Sequence, residues 1–275
     1  MSPLAASRSP RIRREFEVID RAMVRVERCA SRFDPAAHDP RDVARVRRRW
    51  SAQLRDEHRS TFVFSALAGQ MAEAGDPVDV VAVTLRMAQD ELRHTLTCAE
   101  VVRELGRAAA LPVLERVPSL ANHAGESPRQ RALRNVLLTT CISEMHAVAS
   151  FVASLDVLRD DLLRARTREV LADEVLHGEL GFAYLESKAS WLNEGNGRER
   201  AAVERYLRFA FAWAERELAF DPSRSEPTEG QRALGLIPND VAHALYASTM
   251  EGAVVPALEA LGLSAESAWK RRTIA

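Results

Sequence analysis

The feature that most constrains the fold is a series of four long segments with helical periodicity, separated by a short, a long and a short break. Alanine, leucine, valine, arginine and glutamate dominate these segments, and no alternating β-branched run is long enough to predict a strand. The four predicted helices cover about 41–73, 77–107, 128–158 and 161–192. Two helical hairpins joined by one long connection are typical of a four-helix bundle with a single crossover, so we expect an all-α protein.

The breaks between these segments carry the start signals of the helices. Asp76 is predicted to be the N-cap of the second bundle helix, and Ser127 the capping-box N-cap of the third. The connection over 109–127 contains two prolines and one glycine. Its 19 residues can extend over about 60 Å, whereas a helix of about 30 residues is about 45 Å long. Because the connection can return along the whole bundle, the second and third helices can run parallel.

Segments on both sides of the bundle also have helical patterns. The predicted outer helices cover about 11–33, 198–219 and 240–262, with Pro256 expected to bend the last one. A chain of 275 residues, 47% of them hydrophobic, can bury one substantial core. We therefore expect an N-terminal helix and linker at 1–40, the bundle at 41–192, and a C-terminal helical extension at 193–275 that packs on the bundle.

Charge and cysteine content limit the classes of partner. The formal net charge is -1, so no overall basic field attracts nucleic acid or anionic lipid. Cys29, Cys98 and Cys141 are far apart and form no CxxC motif, which argues against a disulfide scaffold or a thiolate metal site. No signal-peptide pattern is present, and no apolar run approaches the length of about 18 residues that a membrane span needs. The sequence therefore predicts a cytoplasmic protein without a nucleic-acid or membrane partner.

Polar residues interrupt the apolar stripe of each bundle helix near its middle. Stepping along each helix by alternate fours and threes places one glutamate on every core-facing stripe, and a histidine follows three residues later on two of them. These core-facing residues are Glu57, Glu91, His94, Glu144, Glu174 and His177. Four carboxylates in one core repel each other and lose their hydration, so positive charge is required between them. Two divalent metal ions supply it, and carboxylate with imidazole suits iron, with manganese as the alternative.

These motifs carry a resemblance to a known family. Glu57, "ELRH" at 91–94, Glu144 and "EVLH" at 174–177 resemble the ligand motifs of the ferritin-like superfamily of di-iron carboxylate proteins, over about residues 41–192. The resemblance implies a ferritin-like bundle whose six motif residues bind two metal ions. Within the superfamily, "DELRH" is similar to the DExRH pattern of bacterial multicomponent monooxygenases and fatty acyl desaturases. Rubrerythrins are less similar, because Ala147 stands where their third helix carries a further glutamate.

Asp90 and Asp173 directly precede the two motif glutamates and are expected to act in the outer shell of the site. A metal-bound imidazole needs an acceptor for its second N–H, which fixes the tautomer and the direction of the ring. We predict that Asp90 accepts a hydrogen bond from His177 and that Asp173 accepts one from His94. Arg93 is the expected further partner of one of these aspartates.

Two functional classes fit this pattern. The first is a di-iron oxidase or oxygenase that activates O2 and oxidises a small organic substrate, with electrons from an external donor. The second is an iron-handling or peroxide-reducing protein, in which iron or peroxide is itself the substrate. The two DExxH motifs favour the first class. The C-terminal helices have two interpretations, as a cover for one end of the bundle or as the surface of a homodimer, and no residue specifies the substrate.

Overall fold

The computed structural model describes residues 32–111, 114, 116–193, 197–219 and 224–272. Over these ranges the protein is all-α, and no strand occurs among them. The predicted helix at 11–33 lies outside the described residues, apart from its last two positions, which are not helical. The all-α prediction is therefore confirmed for the part of the chain that is described.

Four long helices form the core of the structure. They are α1 (Pro40–Glu73), α2 (Val78–Glu104), α3 (Pro128–Val157) and α4 (Asp161–Ser187). Helix α1 packs along α2 and against the beginning of α3, and α4 packs against both α2 and α3. The side chains of the expected core-facing stripes lie almost entirely in the interior, as the alternating pattern of fours and threes predicts.

The caps explain most of the helix boundaries. Asp39 accepts a hydrogen bond from the N–H of Arg41 and begins α1, and Asp160 accepts one from Leu163 and begins α4. Ser127 caps α3 as predicted, by accepting a bond from the N–H of Gln130. The capping box is not completed, because the Gln130 side chain donates to Glu199 instead. Side-chain caps thus account for three of the four helix starts.

The start of α2 differs from the prediction. Pro77, and not Asp76, is the N-cap residue of α2, and it forms no side-chain capping bond. The Asp76 carboxylate is buried and accepts hydrogen bonds from the Tyr184 hydroxyl, at 2.9 Å, and from the Lys188 ammonium group. Asp76 therefore connects the beginning of α2 to the end of α4, which ends at Ser187 and not at the predicted 192.

Shorter helices follow the four long ones. They are α5 (Ala189–Asn193), α6 (Arg198–Leu218), α7 (Glu229–Ala233), α8 (Asn239–Thr249), α9 (Val255–Ala260) and α10 (Ala265–Lys270). A π-helical segment, Met250–Val254, joins α8 to α9 directly before Pro256. Proline lacks an N–H and its ring clashes with the preceding turn, which explains the altered hydrogen bonding where the sequence predicted a bend.

The apolar core is divided by a polar layer. One cluster includes Phe64, Met87 and Leu137 of the long helices and continues to Phe211 and Trp269 of the C-terminal helices. A second cluster is built at the other end of the long helices, for example by Trp50, Leu54, Val101 and Leu163. The predicted ligand residues lie between these two clusters along each long helix. The polar layer is thus enclosed by apolar packing on both sides.

One helix in the described ranges, α3, is long and apolar enough to cross a bilayer by length and composition. In this fold 39% of its most apolar stretch is buried, and Leu133, Leu137 and Ile142 are completely buried. It also carries Glu144, a buried carboxylate. These features are consistent with a soluble protein.

Candidate metal centre

The structure brings all six predicted ligand residues together in one buried layer. Glu57 lies on α1, Glu91 and His94 on α2, Glu144 on α3, and Glu174 and His177 on α4. None of the six is more than 9% exposed. They form two groups of potential ligands, and in each group the ligand atoms lie within 4.8 Å of one another. We refer to these six residues as the Glu/His cluster.

The two groups share two carboxylates. One group consists of Glu57, Glu91, His94 and Glu174, and the other of Glu91, Glu144, Glu174 and His177. His94 Nδ1 lies 3.3 Å from a Glu174 oxygen and 3.4 Å from a Glu57 oxygen, and His177 Nδ1 lies 3.2 Å from a Glu91 oxygen. Metal bonds of about 2.1 Å at ordinary coordination angles separate neighbouring ligand atoms by about 3.0–3.4 Å. These three closest contacts therefore lie within or near the range of distances between ligands that share a metal ion.

Four atoms of the cluster are buried without a hydrogen-bond partner: His177 Nε2, which lies on the side of Asp90, and three inner atoms, Glu91 Oε1, His94 Nδ1 and His177 Nδ1. Burial of an unpaired polar atom costs roughly 1–3 kcal/mol, so such atoms usually have a partner. The three inner atoms belong to the two groups and approach the carboxylate oxygens around them. A cation between these atoms would satisfy all of them, so the donor set fits a metal site.

The electrostatics of the cluster also require positive charge among the carboxylates. Burial, followed by the charges of Glu174 and Glu57, raises the pKa of Glu91 well above its ordinary value. Burial and Glu174 likewise raise the pKa of Glu144. Burial opposes the charge of His177, but contacts with Asp90 and the cluster glutamates raise its pKa to about 11. The carboxylates can ionise together only when positive charge is supplied, by protons or by metal ions.

Asp173 holds His94 as predicted. The two side chains lie 3.1 Å apart, from His94 Nε2 to Asp173 Oδ2, and the ring N–H donates to the carboxylate. This bond leaves Nδ1 as the free nitrogen that faces the cluster. Burial favours the neutral form of Asp173, but the contacts with His94 and Arg93 lower its pKa. Asp173 is therefore a charged acceptor.

Asp90 holds His177 less closely than predicted. The distance from His177 Nε2 to Asp90 Oδ2 is 3.8 Å, which is longer than a hydrogen bond. Asp90 is instead paired with Arg86 at 3.0 Å and with Arg93 at 3.2 Å. Arg93 also donates to Asp173, so this buried guanidinium joins the two aspartates.

The sequence did not reveal the ion pairs that surround Arg93. Glu169 lies 3.7 Å from Arg93 and 3.0 Å from Arg166, and Arg166 also pairs with Glu100 at 2.9 Å. Arg166 and Glu169 precede Asp173 on α4 by seven and four residues, so they share one face of that helix. This spacing is the sequence signal that could have predicted the ion pairs, but the same spacing also occurs on ordinary charged helix faces.

Gln53 is a further contact that the sequence did not reveal. Its amide donates to Glu57 from one turn earlier on α1, and it accepts a hydrogen bond from Arg49 at 2.5 Å. Glu57 therefore has a neutral donor that fixes one carboxylate oxygen. His58 and His146 are not part of the cluster; His58 packs on Phe62, and His146 packs on Tyr246.

A change of helix type positions Glu144. Helix α3 is π-helical over Leu137–Glu144, so the irregular segment ends at the predicted ligand residue itself. Thr140 in this segment is so close to α4 that a Cβ atom at Gly181 would lie 2.2 Å from its hydroxyl oxygen. Single-turn π segments are frequent at functional sites, because the extra residue shifts the side chains that follow it.

The chain matches no family model, no curated protein and no solved structure. A function is therefore inferred from the geometry of the site alone. Three features of the site bear on its function: the Glu/His cluster, its contacts with aspartate and arginine, and the π-helical segment of α3.

Proposed function

We propose that the protein is a ferritin-like four-helix bundle with one long crossover that binds two iron ions, with manganese as the alternative. The ligands are the six residues of the Glu/His cluster, with Glu91 and Glu174 shared between the ions. Four carboxylates and two imidazoles suit these metals better than zinc, which takes fewer ligands, or calcium, which does not favour imidazole. Glu57 and Glu144 each complete one of the two groups.

We infer that the bound metals serve an O2-activating oxidase or oxygenase that acts on a small organic substrate. One observation supports this most: the fully buried His94 ring is fixed by Asp173, which is paired in turn with the buried Arg93. Outer partners of this kind hold a resident redox metal in one geometry. An iron-handling protein must instead release the metal, and a clamped, buried ligand opposes release.

In this proposal the residues of the protein bind and orient the metals and exclude water from the cluster. A reduced iron pair, when bound, supplies the electrons and coordination positions for O2. Asp173 keeps the His94 proton on Nε2, so that Nδ1 remains a ligand. Phe64 packs on the His177 ring, with 5.7 Å between ring centroids, and helps to shield the cluster from bulk water. Electrons for repeated turnover come from an external donor in this proposal.

Anaerobic loading with Fe(II), followed by exposure to O2, tests the proposal. We expect about two irons per chain, rapid oxidation of those two ions and no further uptake when Fe(II) is in excess. Continued uptake of many irons per chain would instead show iron storage. Rapid consumption of peroxide with little reaction towards O2 would show a peroxide-reducing protein. Glu179→Gln, an exposed carboxylate on α4, is the control that should behave like the unmodified chain.

A further inference from the structure

An apolar pocket of about 200 Å³ lies beside the Glu/His cluster, between the four long helices. Its inner wall includes Met87, Thr140 and Gly181. Met87 and Thr140 lie four residues before Glu91 and Glu144, and Gly181 lies four residues after His177. Four helical residues span about 6 Å along the axis, so the pocket begins about one turn from the ligands on three helices.

The polar side chains along this pocket are already hydrogen-bonded. Thr84 donates to the carbonyl of Val80 at 3.0 Å, and Thr140 donates to that of Val136 at 2.6 Å. The Tyr184 hydroxyl donates to Asp76, and Ser187 donates to the carbonyl of Tyr184. Each of these four hydroxyls has used its only proton. A ligand therefore meets side chains such as Leu67, Met71 and Leu180 without a free hydroxyl donor.

The mouth of the pocket carries a negatively charged side chain and no positively charged one. Val83 and Ala183 are exposed at the mouth, together with the carboxylate of Asp79. An anionic ligand would meet this carboxylate, and none of the side chains that line the pocket is cationic. The volume is also informative, because an apolar cavity of about 150 Å³ already holds benzene.

We propose that this pocket binds a small, uncharged, apolar compound, such as an arene of about seven to ten non-hydrogen atoms. That this compound is the substrate rests on the proposed function, whereas the binding itself does not. The inner end of the ligand would lie against Met87, Thr140 and Gly181, next to the Glu/His cluster.

Titration of the zinc-loaded protein with toluene tests the binding. Methionine methyl groups labelled with ¹³C are the reporters, because Met71 and Met87 line the pocket and Met145 and Met250 do not. We expect the NMR signals of Met71 and Met87 to shift saturably while the other two stay in place. Benzoate, which has a similar size and a negative charge, should bind at least about tenfold more weakly than toluene.

Two matched variants locate the site. Val83→Phe places a larger side chain at the mouth and should weaken toluene binding about tenfold or more. Val241→Phe, at a valine of equal exposure outside the pocket (40% against 39%), should leave it unchanged. Unchanged Met145 and Met250 signals in Val83→Phe would show that the fold is intact. No saturable shift at Met71 and Met87, or equal binding by the two variants, would overturn the proposal.

This experiment separates the pocket from the reaction, because zinc does not react with O2. Saturable toluene binding with an iron-loaded protein that is inert towards O2 would support the pocket and refute the proposed function. Two irons that react with O2, in a protein that binds no toluene, would support the proposed function and refute the pocket.

Discussion

His94 and His177 occupy equivalent places in the two sequence motifs, but they are held differently. His94 donates to Asp173 at 3.1 Å, whereas the corresponding nitrogen of His177 is 3.8 Å from Asp90. Asp90 instead forms ion pairs with Arg86 and Arg93. At the scale of single residues, the outer contacts of the two imidazoles are therefore unequal.

Asp173→Asn should impair the site more than Asp90→Asn. The first change weakens the acceptor that fixes His94, and such substitutions typically cost about 10- to 100-fold in metal affinity or activity. Asp90→Asn changes a residue beyond hydrogen-bond distance of its histidine, so its effect on affinity should be smaller. Competition with a chelator measures the affinity, with Glu179→Gln as control. Equal losses in the two variants would contradict the observed difference in geometry.

Glu144→Ala should lower the metal content without unfolding the protein. Glu144 belongs to only one of the two groups and is the most exposed of the six residues at 9%. Its removal deletes a ligand but also removes the burial cost and the repulsion that together raise its pKa. We expect loss of metal from the group that contains His177, with a far-UV circular dichroism spectrum like that of the unmodified chain. Unchanged metal content after anaerobic loading would exclude Glu144 as a ligand.

The cluster residues could be predicted from the sequence because each one occupies the core-facing phase of its helix. A glutamate at such a position has a desolvation cost that needs an explanation. Gln53 and Glu169 could not be predicted in the same way. They lie one turn from Glu57 and Asp173, and this spacing is equally common on charged helix faces in contact with solvent.

At the scale of helices, the contact between α3 and α4 depends on Gly181. A Cβ atom there would lie 2.2 Å from the Thr140 hydroxyl oxygen and 2.7 Å from its Cβ. The branched Thr140 side chain cannot move away freely, because its hydroxyl is bonded to the Val136 carbonyl. The π-helical segment of α3 and α4 thus approach each other at a position that only glycine fits.

Gly181→Ala should therefore lower the free energy of unfolding by about 1–3 kcal/mol, the usual cost of overpacking. Gly69→Ala is a matched control, since Gly69 is also inside a long helix but has no atom within 4 Å of the added Cβ. It should raise stability by about 0.5–1 kcal/mol, because alanine loses less backbone entropy in a helix. Urea unfolding measures both changes. If both substitutions stabilise the protein, that result would contradict the close approach of Gly181 to Thr140.

The positions of the helices could be predicted from local sequence signals. The differences between the prediction and the structure depend on residues that are distant in the sequence. Ser127 is a cap whose geometry is set within four residues, and it was predicted correctly. Asp76 was assigned wrongly because its partners, Tyr184 and Lys188, follow it by more than 100 residues. The π segment was not predicted because Leu137, Thr140 and Glu144 fit the ordinary core-facing pattern.

For the whole molecule, metal binding should release protons and increase stability. Burial and neighbouring charge raise the pKa of Glu91 well above its ordinary value, which favours its protonated form. Burial opposes the charge of His177, but contacts with Asp90 and the cluster carboxylates raise its pKa to about 11, so this ring holds a proton at neutral pH. A metal ion replaces those protons, so binding should weaken as the pH falls from about 8 to about 6. Calorimetry of zinc binding in two buffers with different protonation enthalpies counts the released protons. Identical heats in both buffers would show that no proton is displaced.

The same ions should stabilise the fold by about 2.7 kcal/mol per site when free metal is at about 100 times its Kd. The ligands come from all four long helices, so unfolding must break the site. Thermal unfolding with and without zinc measures this effect. The all-α class and the residues of the Glu/His cluster could be predicted from the sequence, but the apolar pocket could not, because a cavity depends on how side chains from four helices fail to meet.

The replacement of Arg93 in the first motif by Leu176 in the second has a consequence for metal exchange. Arg93 is buried at 5% exposure between two aspartates, whereas Leu176 is 46% exposed and provides no ion pair. Only His94 is therefore held by an aspartate within hydrogen-bond distance, and Arg93 pairs with that aspartate. The two ions should then leave a chelator-treated protein in two kinetic phases, the slower one from the position of His94. A protein with two different metals could be prepared by stopping after the first phase.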